Sequence, residues 1–190
     1  MKNKTKKCCK VVVLLLGFAS FWTNNGLSQA PSIVIPPASQ AVPQGGNAYL
    51  SVTVSGALPI TYTWHQNFNF ATPYYQATLY STNCTLVLTN LQPSDAGFFS
   101  LDTQNSYGYG PGKQAAIAVI SSGMATNGFV LTTYGLTNSV WTIYCTTNLN
   151  PPNWFVLTNF GIPSYPPVFK FVDLEATNLN RFYKVIPKVY

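Results

Sequence analysis

Side chains able to carry chemistry are few in this 190-residue chain, which holds one histidine, four carboxylates and four cysteines. His65 follows Trp64 in an alternating run, ITYTWHQ, so the two point to opposite faces of a strand. With no acid or cysteine beside it in sequence, it reads as a surface residue rather than a general base. Asp173 and Glu175, spaced i and i+2, share one face of a strand. A glycosidase pair must flank a substrate cleft. With Arg181 close behind, these two read instead as a solvated cluster whose surface ion pair is worth about 0–1 kcal/mol. No serine sits in a GxSxG elbow, no phosphate loop is present, and no Cys/His spacing suits a metal. The expectation is a protein with no catalytic residues, no metal and no cofactor, and not an enzyme.

Aromatic side chains are the richer resource. Residues 67–83 (NFNFATPYYQATLYSTN) read as an irregular connection carrying Phe68, Phe70, Tyr74, Tyr75 and Tyr80. They form either a stacking platform for sugars or a partner, or edge packing over a small core. Tyr107 and Tyr109, in NSYGYGPG, fall at a hairpin tip, where side chains face solvent. Tyr74, Tyr75, Tyr107 and Tyr109 are the candidate ligand-binding residues.

Compartment follows from the first thirty residues. MKNKTKKCCK carries five of the ten cations and precedes the apolar VVVLLLGFASFW. That order reads as a secretory signal over residues 1–30, its apolar run being short of the roughly twenty residues a membrane span needs. An uncleaved anchor is the alternative. Ser28 and Ala30 fit a small-residue cleavage rule, although Pro31 disfavours cutting directly before it. Beyond the signal, five cations face four carboxylates, a net of +1. A patch able to neutralise several phosphates is missing, which excludes nucleic acid as an expected partner. The reading is a secreted, extracellular or cell-envelope protein, with no membrane span after cleavage and a protein or carbohydrate at the cell surface as its partner. Cys84 and Cys145 remain, in different predicted domains. A bridge would need their Cα atoms within about 7 Å, so two buried free thiols are expected, with a disulfide as the alternative.

The elements that position these residues are strands. Asn47–Ser55 alternates Leu50, Val52 and Val54 against Ser51 and Thr53. Ile60–Gln66 follows. Thr85–Leu91 leads through a Pro-Ser-Asp-Ala-Gly turn into Phe98–Thr103. Residues 31–43 form an edge strand broken by Pro36 and Pro37, and Gln114–Ile120 closes the first domain (31–121). Asp95 caps its own turn through backbone N–H groups. Ser121–Gly128, small and polar, reads as a linker. Five further strands are predicted in a second domain (127–190), at 129–134, 140–146, 154–160, 168–173 and 182–186, as a small antiparallel sandwich or barrel docked on the first. The fold class is all-β.

The residues Leu86, Val87, Leu88, Leu91, Asp95, Ala96, Gly97, Phe99, Leu101, Asn105 and Gly108 resemble the E–F corner of immunoglobulin-like domains of the I-set type. Trp64 matches their buried strand-C tryptophan. Two departures stand out. Phe99 replaces the tyrosine of the tyrosine corner, and Val52 and Leu101 stand where the resemblance places the inter-sheet cysteines. An apolar pair fills the same space, without a crosslink typically worth about 2–4 kcal/mol. Bacterial members of the superfamily commonly lack it.

The second domain resembles a C-terminal β-module of large secreted bacterial proteins. The likeness rests on Trp141, Ile143, Tyr144, Thr146-Thr147-Asn148-Leu149, Trp154, Phe171-Val172-Asp173 and Arg181-Phe182-Tyr183-Lys184-Val185. It implies a structural or sorting accessory role. Together the two resemblances imply a non-catalytic protein for binding or adhesion to a protein or glycan, or alternatively a structural or export-associated module with no ligand of its own.

Overall fold

The computed structural model describes residues 29–67, 69–135, 139–163, 168–176 and 180–188. The predicted signal, apart from Gln29 and Ala30, and Phe68 lie outside the described residues. Thirteen strands are described: β1 (Ser32–Ile35), β2 (Gln40–Pro43), β3 (Ala48–Ser55), β4 (Ile60–Gln66), β5 (Tyr75–Leu79), β6 (Asn83–Leu88), β7 (Gly97–Asn105), β8 (Gly108–Ala125), β9 (Gly128–Tyr134), β10 (Val140–Thr146), β11 (Phe155–Gly161), β12 (Val168–Asp173) and β13 (Phe182–Pro187). No α-helix is present among the described residues; a 3-10 turn spans Pro93–Asp95.

Three sheets stack. One is β1-β3-β6, one is β11-β10-β13, and a seven-stranded sheet runs β12-β9-β8-β7-β4-β5 with β2 added parallel to β8. The prolines at 36 and 37 do more than break an edge strand. They let the chain leave β1, on the first sheet, and re-enter as β2 on the other. Strand alternation sets the first core. Leu50, Val52 and Val54 of β3, Leu86 and Leu88 of β6, Tyr62 and Trp64 of β4, and Phe99 and Leu101 of β7 are all buried in one cluster. Val52 and Leu101 both belong to it, so apolar packing stands where a crosslink was forgone. Trp64 is fully buried.

The strand β8 is 18 residues long and serves both halves of the chain. Its residues Gly108–Ile117 pair with β7, and Val119–Ala125 pair with β9. From Ala115 to Val119 every side chain is buried, because both faces of the strand are covered. Ala115, Ile117 and Val119 enter the first core, while Ala116 and Ala118 enter a second one with Leu131, Trp141, Ile143, Phe160 and Ile162. Phe98 of β7 and Ala41 of β2 also pack against the second core. The seven-stranded sheet is therefore a shared wall, with one sandwich closed on each face.

Two expectations change here. Residues 121–125, read as linker, continue β8 as strand, because Ser121–Ala125 find backbone partners in Gly128–Thr132 of β9. Only the turn at 126–127 separates β8 from β9. Within the stretch read as irregular, Tyr75–Leu79 forms β5, antiparallel to β4 with Tyr75 opposite Trp64. Gln76 and Thr78 reinforce that pairing, Gln76 Nε2 donating to Thr63 Oγ1 at 3.0 Å and the Thr61 and Thr78 hydroxyls lying 2.8 Å apart.

Candidate functional site

The most exposed of the four predicted aromatic sites are at the β7–β8 hairpin. Asn105 lies opposite Gly108, leaving Ser106 and Tyr107 as a two-residue tip. Gly108 has φ +141°, a conformation open to glycine and disfavoured for L side chains. Asn105 braces the tip from below. Its Nδ2 donates to the carbonyl oxygens of Gln29 and Ala57, each at 2.8 Å, and its Oδ1 accepts from the Tyr107 N–H at 2.9 Å. Tyr107 and Tyr109 are 54% and 75% exposed above this base.

Tyr74 and Tyr75 behave differently. Both are half-buried against the first core, and the Tyr74 ring meets Phe99 edge-on with centroids 5.3 Å apart. They sit at the Trp64 end of β4, whereas the hairpin tip adjoins the Thr61 end. The four tyrosines thus do not form one patch. Tyr74 and Tyr75 pack against the first core, and the exposed pair stands apart.

His65 is not a surface residue. It is 6% exposed, covered by Phe70 at a centroid distance of 5.0 Å. Its Nδ1–H donates to the Asn69 carbonyl oxygen at 3.3 Å, and Nε2 lies 3.5 Å from Asp102 Oδ2, a partner far away in sequence. Its cross-strand neighbour is Ser100, whose buried Oγ has no hydrogen-bond partner. A serine, a histidine and an aspartate therefore share one sheet face, yet each ring nitrogen is already set against an oxygen. A relay from serine to histidine needs the hydroxyl bonded to a ring nitrogen, and the Ser100 Oγ bonds to neither.

The second half holds a denser polar cluster. Arg181 Nη1 donates to Asp173 Oδ2 at 2.9 Å and Nη2 to Glu175 Oε2 at 2.7 Å, while Tyr183 Oη donates to the same Asp173 Oδ2 at 2.7 Å. Glu175 N–H caps Asp173 Oδ1 at 3.0 Å. The predicted solvated pair is thus corrected: the Arg181 and Asp173 side chains are 8% and 5% exposed, and only Glu175 faces water. Spacing explains the convergence, since Arg181 and Tyr183 are two apart on an extended chain and reach one carboxylate together. Burial, then the hydrogen bond and charge of Asp173, push the Tyr183 phenol well above its ordinary range. Burial likewise raises the Cys145 thiol, against the opposing charge of Arg181. A raised thiol is a poor nucleophile at neutral pH. Cys84 and Cys145 are both buried, and neither forms a disulfide. On the outer face of β13, Lys184 Nζ lies 4.3 Å from the Trp154 ring centroid and 5.0 Å from that of Tyr144.

Asp95 acts as the sequence suggested, accepting the Gln92 N–H at 2.8 Å within its own turn. Residues 30–105 match the family model described as the immunoglobulin domain. They form an immunoglobulin-like domain. No curated protein matches the chain. Solved structures similar to it include titin M4 (22% identity, TM-score 0.42, 48% of this chain and 96% of that one). Titin domain M7 is similar at 18% identity and TM-score 0.42, over 48% of this chain and 94% of that one. Dpr1 IG1 bound to DIP-eta IG1 follows at 16% and 0.40, over 47% and 94%. In the immunoglobulin-like domain the motif residues Asn105 and Gly108 build the hairpin base. The asparagine was legible in the sequence only as a motif letter, because its partners, Gln29 and Ala57, are distant in the chain.

Proposed function

We propose that the chain is a secreted or cell-surface, non-catalytic binding protein that meets a protein or glycan through the Tyr107–Tyr109 hairpin. The observation that carries this reading is the exposure of both rings on a tip already braced by Asn105. Tyrosine presents a large amphipathic surface at low entropic cost, which is why it is enriched where proteins bind. A loop held in one conformation before contact loses less freedom on binding. Among the described residues no helix is long and apolar enough to cross a membrane.

A second reading is favoured by β8. A strand running through both sandwiches makes a stiff unit suited to a structural or export-associated accessory module. Pull-down of the purified chain on a panel of insoluble polysaccharides and on whole cells separates the two. Retention that falls on Tyr107→Ala/Tyr109→Ala supports the binder. No retention on any surface rejects it and leaves the accessory module.

A further inference from the structure

At the seam between the two sandwiches one edge of the shared strand has no partner strand among the described residues. Alternate residues of a strand direct their peptide groups to opposite edges. Ile120 C=O accepts the N–H of Gln44 at 2.8 Å, so the peptide groups of Ile120, Ser122 and Met124 face the edge along which β2 lies. Pairing with β2 ends at Pro43 opposite Ile120. Beyond it no described strand pairs with this edge of Ser121–Ala125, while β9 occupies the other. Across the gap stands β13, an edge strand that among the described strands pairs with β10 alone.

Two adjoining hollows, of about 320 and 220 Å³, line this edge. Phe129, Arg181, Phe182 and Tyr183 border both, and Leu131 and Val185 extend the apolar wall of the larger. Arg181 supplies the second observation. Its side chain is 8% exposed, both Nη groups are bonded to carboxylates, and its buried Nε–H has no hydrogen-bond partner. A buried donor left without an acceptor is costly, and a ligand that supplies one is rewarded. The acceptor should be neutral, because Asp173 and Glu175 already outnumber the single guanidinium and would repel an anion.

We infer that this seam is a second binding site, separate from the tyrosine hairpin, which takes an uncharged, extended apolar peptide as an added strand on β8. Backbone amides of the peptide pair with the Ser122 and Met124 peptide groups. A peptide carbonyl accepts the Arg181 Nε–H once the guanidinium turns toward the gap, and alternate side chains fill the two hollows, the recurring mode of strand addition to an open sheet edge. The free edge of five residues admits about 17 Å of extended chain, at roughly 3.3 Å per residue.

The test uses the full chain and a fluorescein-labelled array of acetylated, amidated eight-residue peptides alternating Val or Ile with Thr or Ser. Saturable polarisation binding is expected. N-methylation of alternate peptide amides should weaken it at least ten-fold in one phase and leave it unchanged in the other. Ser122→Pro removes one outward N–H without touching the ladder to β9, a position where proline is tolerated, and should weaken binding at least ten-fold with an unchanged melting temperature. Tyr107→Ala/Tyr109→Ala should leave it intact, so that failure of this site and failure of the hairpin reading are told apart. If Ser122→Pro does not fold, the N-methyl series decides alone. The inference is overturned if no peptide binds saturably, if neither N-methyl phase matters, if Asp- or Glu-containing peptides bind more tightly, or if N-acetylglucosamine oligomers displace the peptide.

Discussion

Ile117 and Ala118 are neighbours in β8, both fully buried, and their side chains fill different cores. Neither half of the protein can lose this strand and keep its wall. The relation predicts shared stability. Ile117→Ala opens a cavity in the immunoglobulin-like core and should cost about 2–5 kcal/mol. Ala118→Leu overfills the second core, at about 1–3 kcal/mol. Urea unfolding followed by tryptophan fluorescence and by far-UV circular dichroism should show one coincident transition, moved by either substitution. Two separable transitions, each moved by one variant alone, would reject the shared wall.

Arg181→Met should destabilise the second sandwich by about 3–5 kcal/mol, since it strands the Asp173 carboxylate in a buried setting. Tyr183→Phe removes one of that carboxylate's bonds and keeps the ring stacked on Phe129, 4.7 Å away, so a loss of about 1–3 kcal/mol is expected. Equal effects of the two variants in chemical denaturation would contradict the role given to the guanidinium.

Alkaline pH should weaken the fold. The Tyr183 phenol and the Cys145 thiol both hold their protons more tightly folded than unfolded. Above the ordinary values of 9.0 for the thiol and 10.0 for the phenol, the unfolded chain releases protons that the folded chain keeps. The contribution of these two groups is therefore level below about pH 9 and falls as pH rises beyond it. Melting temperatures recorded from pH 7 to 11 should show this decline, and Tyr183→Phe should flatten the part above pH 10. An unchanged slope in the variant would sink the assignment to Tyr183.

Gly128 opens β9 at φ +140°, and a Cβ there would fall on the Asp173 carbonyl oxygen. Gly128→Ala should therefore lower the melting temperature. Gly123→Ala, which meets open space, should leave it nearly unchanged. Similar losses for both would show that the turn at 126–127 relaxes freely.

Much of this fold was legible where one face of a strand is buried and the other is wet. In β3, Leu50, Val52 and Val54 announce themselves against Ser51 and Thr53, and the strands of the second sandwich fall within about two residues of their predicted bounds. Alternation fails at Ala115–Val119, because a strand covered on both faces has no wet side to mark. Ser121–Ala125 has the composition of a linker, yet β9 supplies its partners, and strand formation depends on such context. His65 was misjudged for the same kind of reason. Its cover, Phe70, comes from a connection whose path local sequence does not fix, and its acid partner, Asp102, lies on another strand. The pairing of Arg181 with Asp173 and Glu175 was readable from spacing; its burial was not, since that depends on how the second core closes.

Retention of the full chain on whole cells, measured side by side for the parent, Tyr107→Ala/Tyr109→Ala and Ser122→Pro, tests the binding account most directly. The account predicts retention by the parent and by Ser122→Pro, with loss of at least ten-fold in the tyrosine variant at unchanged melting temperature. Undiminished retention of the tyrosine variant would contradict it.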